Sequence, residues 1–176
     1  MKVFYSCWCL MLLTACSSLQ YQERLQQPMP LPEGEWTLTR LHPNDLVLVT
    51  EMRWQDKSSQ DLVQSFVFEQ QSNVNLQDTK RIDDEQGQLN CDLLFDSQIL
   101  NQTPQRGYPQ LTWVSECKSS NGSYSKVLHK AIAGKDSLYV FNRIWRTQPL
   151  QTEWDLWLDY SRRIYVCDQR QASSCQ

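Results

Sequence analysis

The chain has 176 residues, 40% of them apolar and 21% charged, with a formal net charge of −3. That length suits a single domain large enough to close around a core. The mild acidity excludes the basic footprint that nucleic acid demands, so no nucleic-acid partner is expected, and it leaves no polybasic patch for anionic lipid.

Residues 1–15 read as an export signal. Lys2 supplies a positive start, Val3 to Leu13 form a short apolar core, and small residues precede a cut. The apolar run is shorter than the roughly 20 residues that span a bilayer. The tetrapeptide Leu13-Thr14-Ala15-Cys16 resembles the lipobox of bacterial lipoproteins. The resemblance covers residues 1–16 only. It implies that Cys16 is diacylated, becomes the first mature residue and is then N-acylated, the combination that anchors stably where one chain would not. Ser17, in place of an Asp, resembles the outer-membrane pattern of that family. The implied location is the bacterial cell envelope, lipid-anchored at the outer membrane and facing the periplasm. An ordinary secretory signal with a chance Cys is the competing reading.

Residues 16–35 are expected to be a tether. They are rich in Gln and carry Pro28, Pro30 and Pro32, which favour a stiff, extended spacer. From Trp36 to Gln176 the pattern predicts one β-rich domain. Strand candidates occupy 36–39, 45–54, 64–69, 89–100, 111–117, 124–132 and 138–145, each β-branched or aromatic and bounded by turn residues. Asn121-Gly122 suits a type I′ hairpin pairing 111–118 with 124–132, and Gly134-Lys135-Asp136 turns the chain into 138–145. One helix is predicted near the end, with Thr152 as cap and Glu153 in its first turn. Trp154, Trp157, Leu158 and Ser161 would share a face, with Arg162 and Arg163 in the last turn. A short strand, 164–167, would follow. The fold class is therefore mainly β with a C-terminal α-helix packed on an antiparallel meander, as a small sandwich or half-barrel. Residues 72–88, with Asp78, Asp83, Asp84 and Glu85 around Lys80 and Arg81, read as a solvated loop. Their spacing does not match a calcium-binding loop.

Of seven cysteines, Cys7 and Cys9 lie in the signal and Cys16 would carry lipid. Cys91, Cys117, Cys167 and Cys175 remain for an oxidising compartment, where four cysteines allow three pairings. Cys91–Cys117 is favoured because both lie in strand candidates, and Cys167–Cys175 because it closes the tail. Their spacing is not that of a zinc site. His42 sits in a turn-like His-Pro-Asn-Asp and His129 in a strand candidate, neither in a metal-ligand pattern. No nucleophile elbow, Ser-x-x-Lys or phosphate loop appears. The expectation is a non-enzyme with no metal and no cofactor.

Tryptophan is in excess, with six of seven beyond the signal. In 138–146, alternation puts Tyr139, Phe141, Arg143 and Trp145 on one face. Exposed, that face is a candidate partner surface of the aromatic–Arg kind. Packed under the helix, it is core, with Arg143 and Arg146 at the rim. The functional expectation is a membrane-tethered domain that binds a protein partner in an envelope assembly for secretion, transport or cell-wall work. An inhibitor or immunity-type lipoprotein that occludes a toxin or hydrolase is the alternative. A glycan or lipid binder or enzyme comes third.

Overall fold

The computed structural model describes residues 23–27, 31, 34–42, 48–170 and 175. The signal and Cys16 lie outside these residues. In chain order the elements are β1 (Glu23–Gln26), β2 (Trp36–Leu41), β3 (Val49–Asp56), β4 (Leu62–Glu69), α1 (Leu76–Leu89), β5 (Leu94–Asn101), β6 (Gln110–Lys118), β7 (Tyr124–Ala133), β8 (Ser137–Trp145), α2 (Gln151–Arg163) and β9 (Tyr165–Asp168). Strands 2 to 8 form one antiparallel sheet in the order β2-β3-β4-β8-β7-β6-β5, and β1 pairs with β9 in a separate ribbon. The mainly β class with a packed C-terminal helix holds. The large sheet is not closed into a barrel: β2 and β5 are its two edges.

Alternation along the strands gives the sheet two faces. One carries Val63, Leu128, Phe141 and Trp145, and packs on Trp157, Tyr160 and Ile164 of α2 and its exit and on Val166 of β9. The other carries Leu111, Trp113, Ala131 and Leu138, packed on Leu76 of α1. The molecule is thus layered: α2 and the ribbon, the sheet, then α1.

The strand expectations hold apart from their ends. Residues 89–93, expected to open the 89–100 strand, form the end of α1 and a connector, and β5 begins at Leu94. Residues 43–47 lie outside the described set. The expected hairpin between β6 and β7 forms, with Leu111 opposite Ala131 and Lys118 opposite Tyr124. Its turn is not type I′. Gly122 alone has a positive φ, +84°, and its N–H donates to Ser119 O at 2.9 Å. That is a four-residue turn, Ser119–Gly122, ended by one left-handed glycine, the arrangement of longer hairpin loops. Gly134 turns β7 into β8 as expected, with its N–H on Ser137 O.

Three expectations are corrected. Residues 76–89 form a helix, not a loop. Asn75 caps it by accepting from Gln77 N. Lys80 pairs with Asp84 and Arg81 with Glu85, both one turn apart, the spacing that supports an exposed helix. Helix α2 starts after Leu150, with no side-chain cap, so Thr152 lies inside it. Glu153 is in the first turn as expected but is turned inward. Finally, residues 23–26 belong to the fold: every residue of β1 pairs with β9, Glu23 opposite Asp168 through Gln26 opposite Tyr165. The tether expected over 16–35 is therefore interrupted, because β9 offers an unpaired edge that this segment satisfies.

Both favoured cysteine pairings are present. Cys91–Cys117 joins the α1–β5 connector to β6, and Cys167–Cys175 closes the C-terminal segment onto β9.

Candidate functional site

Tyr139, Phe141, Arg143 and Trp145 do share one face of β8, but α2 covers it. Their exposures are 3%, 1%, 1% and 1%. The Phe141 ring meets Tyr160 edge-on at 5.6 Å and Trp157 at 6.3 Å. These residues are core, and the expectation of a partner surface there is corrected.

The expected rim position of Arg143 is corrected too. Its guanidinium is sealed between Asp61 Oδ2 and Glu153 Oε1, each 2.8 Å away, and it also donates to the carbonyl of Ile144 at 2.9 Å. The Trp145, Trp157 and Trp36 rings surround it at 4.6, 5.2 and 5.6 Å. Trp145 Nε1 donates to the same Glu153 oxygen. A guanidinium holds its charge and offers five donors, so it can be buried where two carboxylates meet it. The cluster ties α2 to the β3–β4 turn. It is closed to ligands.

Lys130, on the same face, is 1% exposed. Its Nζ donates to Gln105 Oε1 at 3.0 Å and to the carbonyls of Ser161 and Ile164 at 2.7 Å each. It caps the end of α2 from below.

The opposite face holds a constellation that sequence reasoning missed. Ser115 Oγ lies 2.8 Å from His129 Nε2, and His129 Nδ1 lies 3.0 Å from Asn142 Oδ1. Asp83 of α1 approaches Nε2 at 3.5 Å. Ser115, His129 and Asp83 border a cavity of about 220 Å³ with Phe95, Cys117 and Val127 in its wall. Burial pushes the His129 pKa down, against the pull of Asp83. The neutral ring then donates from Nδ1 to Asn142 and accepts the Ser115 hydroxyl at Nε2. This is the base–nucleophile–orienter order of acyl transfer. A further requirement is donors aimed at a developing oxyanion. Strand β6 is paired with β5 on one edge and β7 on the other, so its N–H groups are spent on the ladders. Trp113 Nε1 donates to Asp83, and Asn90 Nδ2 to Gln86 O. The Trp113 ring also stacks on His129 at 4.6 Å and 3°. The arrangement satisfies buried polar groups beneath α1. No sequence signal marks it, since Trp113 and His129 become neighbours only once the β6–β7 register is set.

Among the described residues, none forms a layer over one large part of the sheet. The residues Leu41, Glu51, Phe66, Val140, Ala131 and Leu111 stand side by side across the α1 face. Helix α1 rests on β5, β6 and β7. Exposure accordingly falls from 56% at Leu41 to 0% and 1% at Ala131 and Leu111. Between them Phe66, Val140 and Ile144 are half-buried. Gln64 donates to Glu51 at 3.2 Å, and Arg53 is beside the same carboxylate at 3.5 Å. The β2–β3–β4–β8 half of the face thus carries Leu41, Phe66, Val140 and Ile144 with the linked Glu51, Arg53 and Gln64 set among them.

No protein-family model matches the chain, and no curated protein matches it. Its site must be judged on its own geometry. Among the described residues, no helix is long and apolar enough to cross a membrane, and no three His, Cys, Asp or Glu side chains are grouped as a metal site. The exposed His42 stands apart from His129.

Proposed function

We propose that this protein is a lipid-anchored component of the bacterial envelope, held by Cys16 in the outer membrane. Its β-rich domain docks a protein partner in a secretion, transport or cell-wall assembly without performing catalysis itself. The observation that carries the docking reading is the half-face of the sheet that α1 does not cover, where Leu41, Phe66, Val140 and Ile144 are interspersed with the linked Glu51, Arg53 and Gln64. Apolar side chains mixed with hydrogen-bonded polar groups match the composition of a non-obligate protein interface. The lipobox-like Leu13-Thr14-Ala15-Cys16 supports the anchor.

The test places a photo-crosslinking residue at Phe66 in the full chain, in living Gram-negative cells, and a second at Asp78 on the far side of α1. One defined envelope protein captured through position 66 and not through 78 is the expected result. Equal capture at both positions, or none at 66, overturns the docking surface. Capture at 66 only when a toxin is supplied would move the reading to an immunity-type inhibitor.

A further inference from the structure

We infer that the end of the domain bearing the β7–β8 turn rests against the bilayer that holds Cys16, so the domain has a fixed orientation rather than swinging on a spacer. The inference rests on the lipid anchor proposed above.

The first argument is covalent reach. Strand β1 is fully paired with β9. Its first residue is fastened a second time: the Glu23 carboxylate accepts from Lys135 N at 2.8 Å and Asp136 N at 3.0 Å, clasping the β7–β8 turn. From Cys16 to Glu23 there are seven residue steps. Whatever path they take, they span at most about 25 Å. A free spacer running to Trp36 would have reached nearly three times as far. Strand β7 has ten residues, about 33 Å of chain at a strand's rise. The opposite end of the sheet, with the β3–β4 and β6–β7 turns, is therefore held a further strand's length away from the point of anchorage.

The second argument is the charge presented at the anchored end. The chain is acidic overall, yet Arg24, Lys135 and Arg170 are exposed there. The side chains of Glu23 and Asp168 are 0% exposed, turned inward to hold β1, Lys135 and Arg170. Asp136 and Glu69 remain as part-exposed acids. Lys135 is paired with Asp168, and Arg170 with Asp136 and Asp168, so the surface nearest the anchor is close to neutral in an acidic chain and lets the acyl chains draw it toward the headgroups. The row from Leu41 through Phe66 to Val140 crosses the strands, so in this orientation it runs parallel to the membrane surface and its face is open to a partner from the side.

The test uses the acylated full chain in vesicles of phosphatidylethanolamine and phosphatidylglycerol that contain a headgroup spin-labelled lipid, a short-range quencher. Two variants, each with one added free cysteine beside the intact disulfides, carry the same fluorophore: K135C at the anchored end and S59C in the β3–β4 turn. A T103C label repeats the first measurement without removing a cation. The expected result is severalfold stronger quenching at 135 and 103 than at 59. A Gly/Ser insertion of about 20 residues between Gln20 and Tyr21 behaves as a flexible coil and is expected to erase the difference. Equal quenching at both ends of the uninserted, floated protein overturns the orientation and leaves the anchor standing. A chain that carries no acyl group on Cys16 and does not float with the vesicles overturns the anchor, and the orientation with it.

Discussion

Lys130 is a buried amine with three acceptors and no carboxylate among them. Burial pushes its pKa from 10.5 down to about 7. An unfolded lysine keeps its ordinary value. Between these two pH values the unfolded chain binds more protons, so stability rises with pH across that window. Below about pH 7 the cost of burying the charge is carried in full. The two carbonyls at the end of α2 favour the charged form and temper the slope. Urea midpoints measured at pH 7 and pH 9 are expected to rise for the native protein and to stay flat for K130M. At pH 9 the variant is expected to lose about 1–3 kcal/mol, the cost of leaving buried acceptors unmet. A native profile no steeper than that of K130M refutes the assignment. Arg143 carries the opposite chemistry, a permanent cation between two carboxylates. R143M strands Asp61 and Glu153 together beneath α2, and a loss of about 3–5 kcal/mol is expected from such an uncompensated pair. Adding D61N and E153Q is expected to recover part of it. If the triple variant unfolds as early as R143M, charge is not the reason.

Helix α1 is held by very little apolar burial: Leu76 is its one buried residue. Polar contacts do much of the rest, with Lys80 on Ser97 and Asp83 on Trp113. Its close approach to β5 depends on Gly87. A Cβ there would stand 2.4 Å from the Phe95 ring. Elsewhere in a helix, Gly to Ala gains about 1 kcal/mol. Here the clash is expected to win, so that G87A is destabilised by about 1–2 kcal/mol. In an F95A background the ring is gone, and the same substitution is expected to stabilise. Chemical unfolding of the four variants decides the point: a gain from G87A with Phe95 intact would show that the ring moves aside freely. The ribbon strands depend in the same way on what they touch. β1 and β9 have four residues each, too few to pair stably alone, and the buried Glu23 and Asp168 fasten them. Burial alone would raise the Asp168 pKa. Hydrogen bonds from Arg170 and Lys135 outweigh it and hold it down to about 2.

Two disulfides staple the molecule at its margins. Cys91–Cys117 closes a separation of 26 residues across the α1–β5 junction, and Cys167–Cys175 one of 8 at the C-terminus. Loop-closure entropy gives the first about 3–4 kcal/mol and the second about 2–3. C91S/C117S is expected to lower the urea midpoint more than C167S/C175S. The reverse order would mean that the short link holds native structure, namely β9 and through it β1, instead of merely restricting the unfolded chain. Reduction is expected to loosen the outer layers, α1 with β5 and the ribbon, before the central strands. Amide exchange during reduction reads that order directly.

The sequence by itself determined the central strands, the C-terminal helix and the faces on which they alternate. Those elements are long and strongly patterned, so the period of their apolar residues sets what they bury. It also pointed to the two cysteine pairings. Tertiary structure decided the rest. Helix α1 escaped notice because the face it lays on the sheet is Leu76, Asp83 and Gly87, which has no apolar period. β1 looked like spacer because four residues with one apolar side chain, Leu25, become a strand only where β9 supplies the other edge. Tyr139, Phe141, Arg143 and Trp145 were placed on one face by alternation alone. Whether that face met water depended on where α2 came to lie. His129, Ser115 and Asn142 sit on three different strands, and Arg143 meets Asp61 from 82 positions away. Such partners are chosen by strand register and helix placement, which local sequence does not encode.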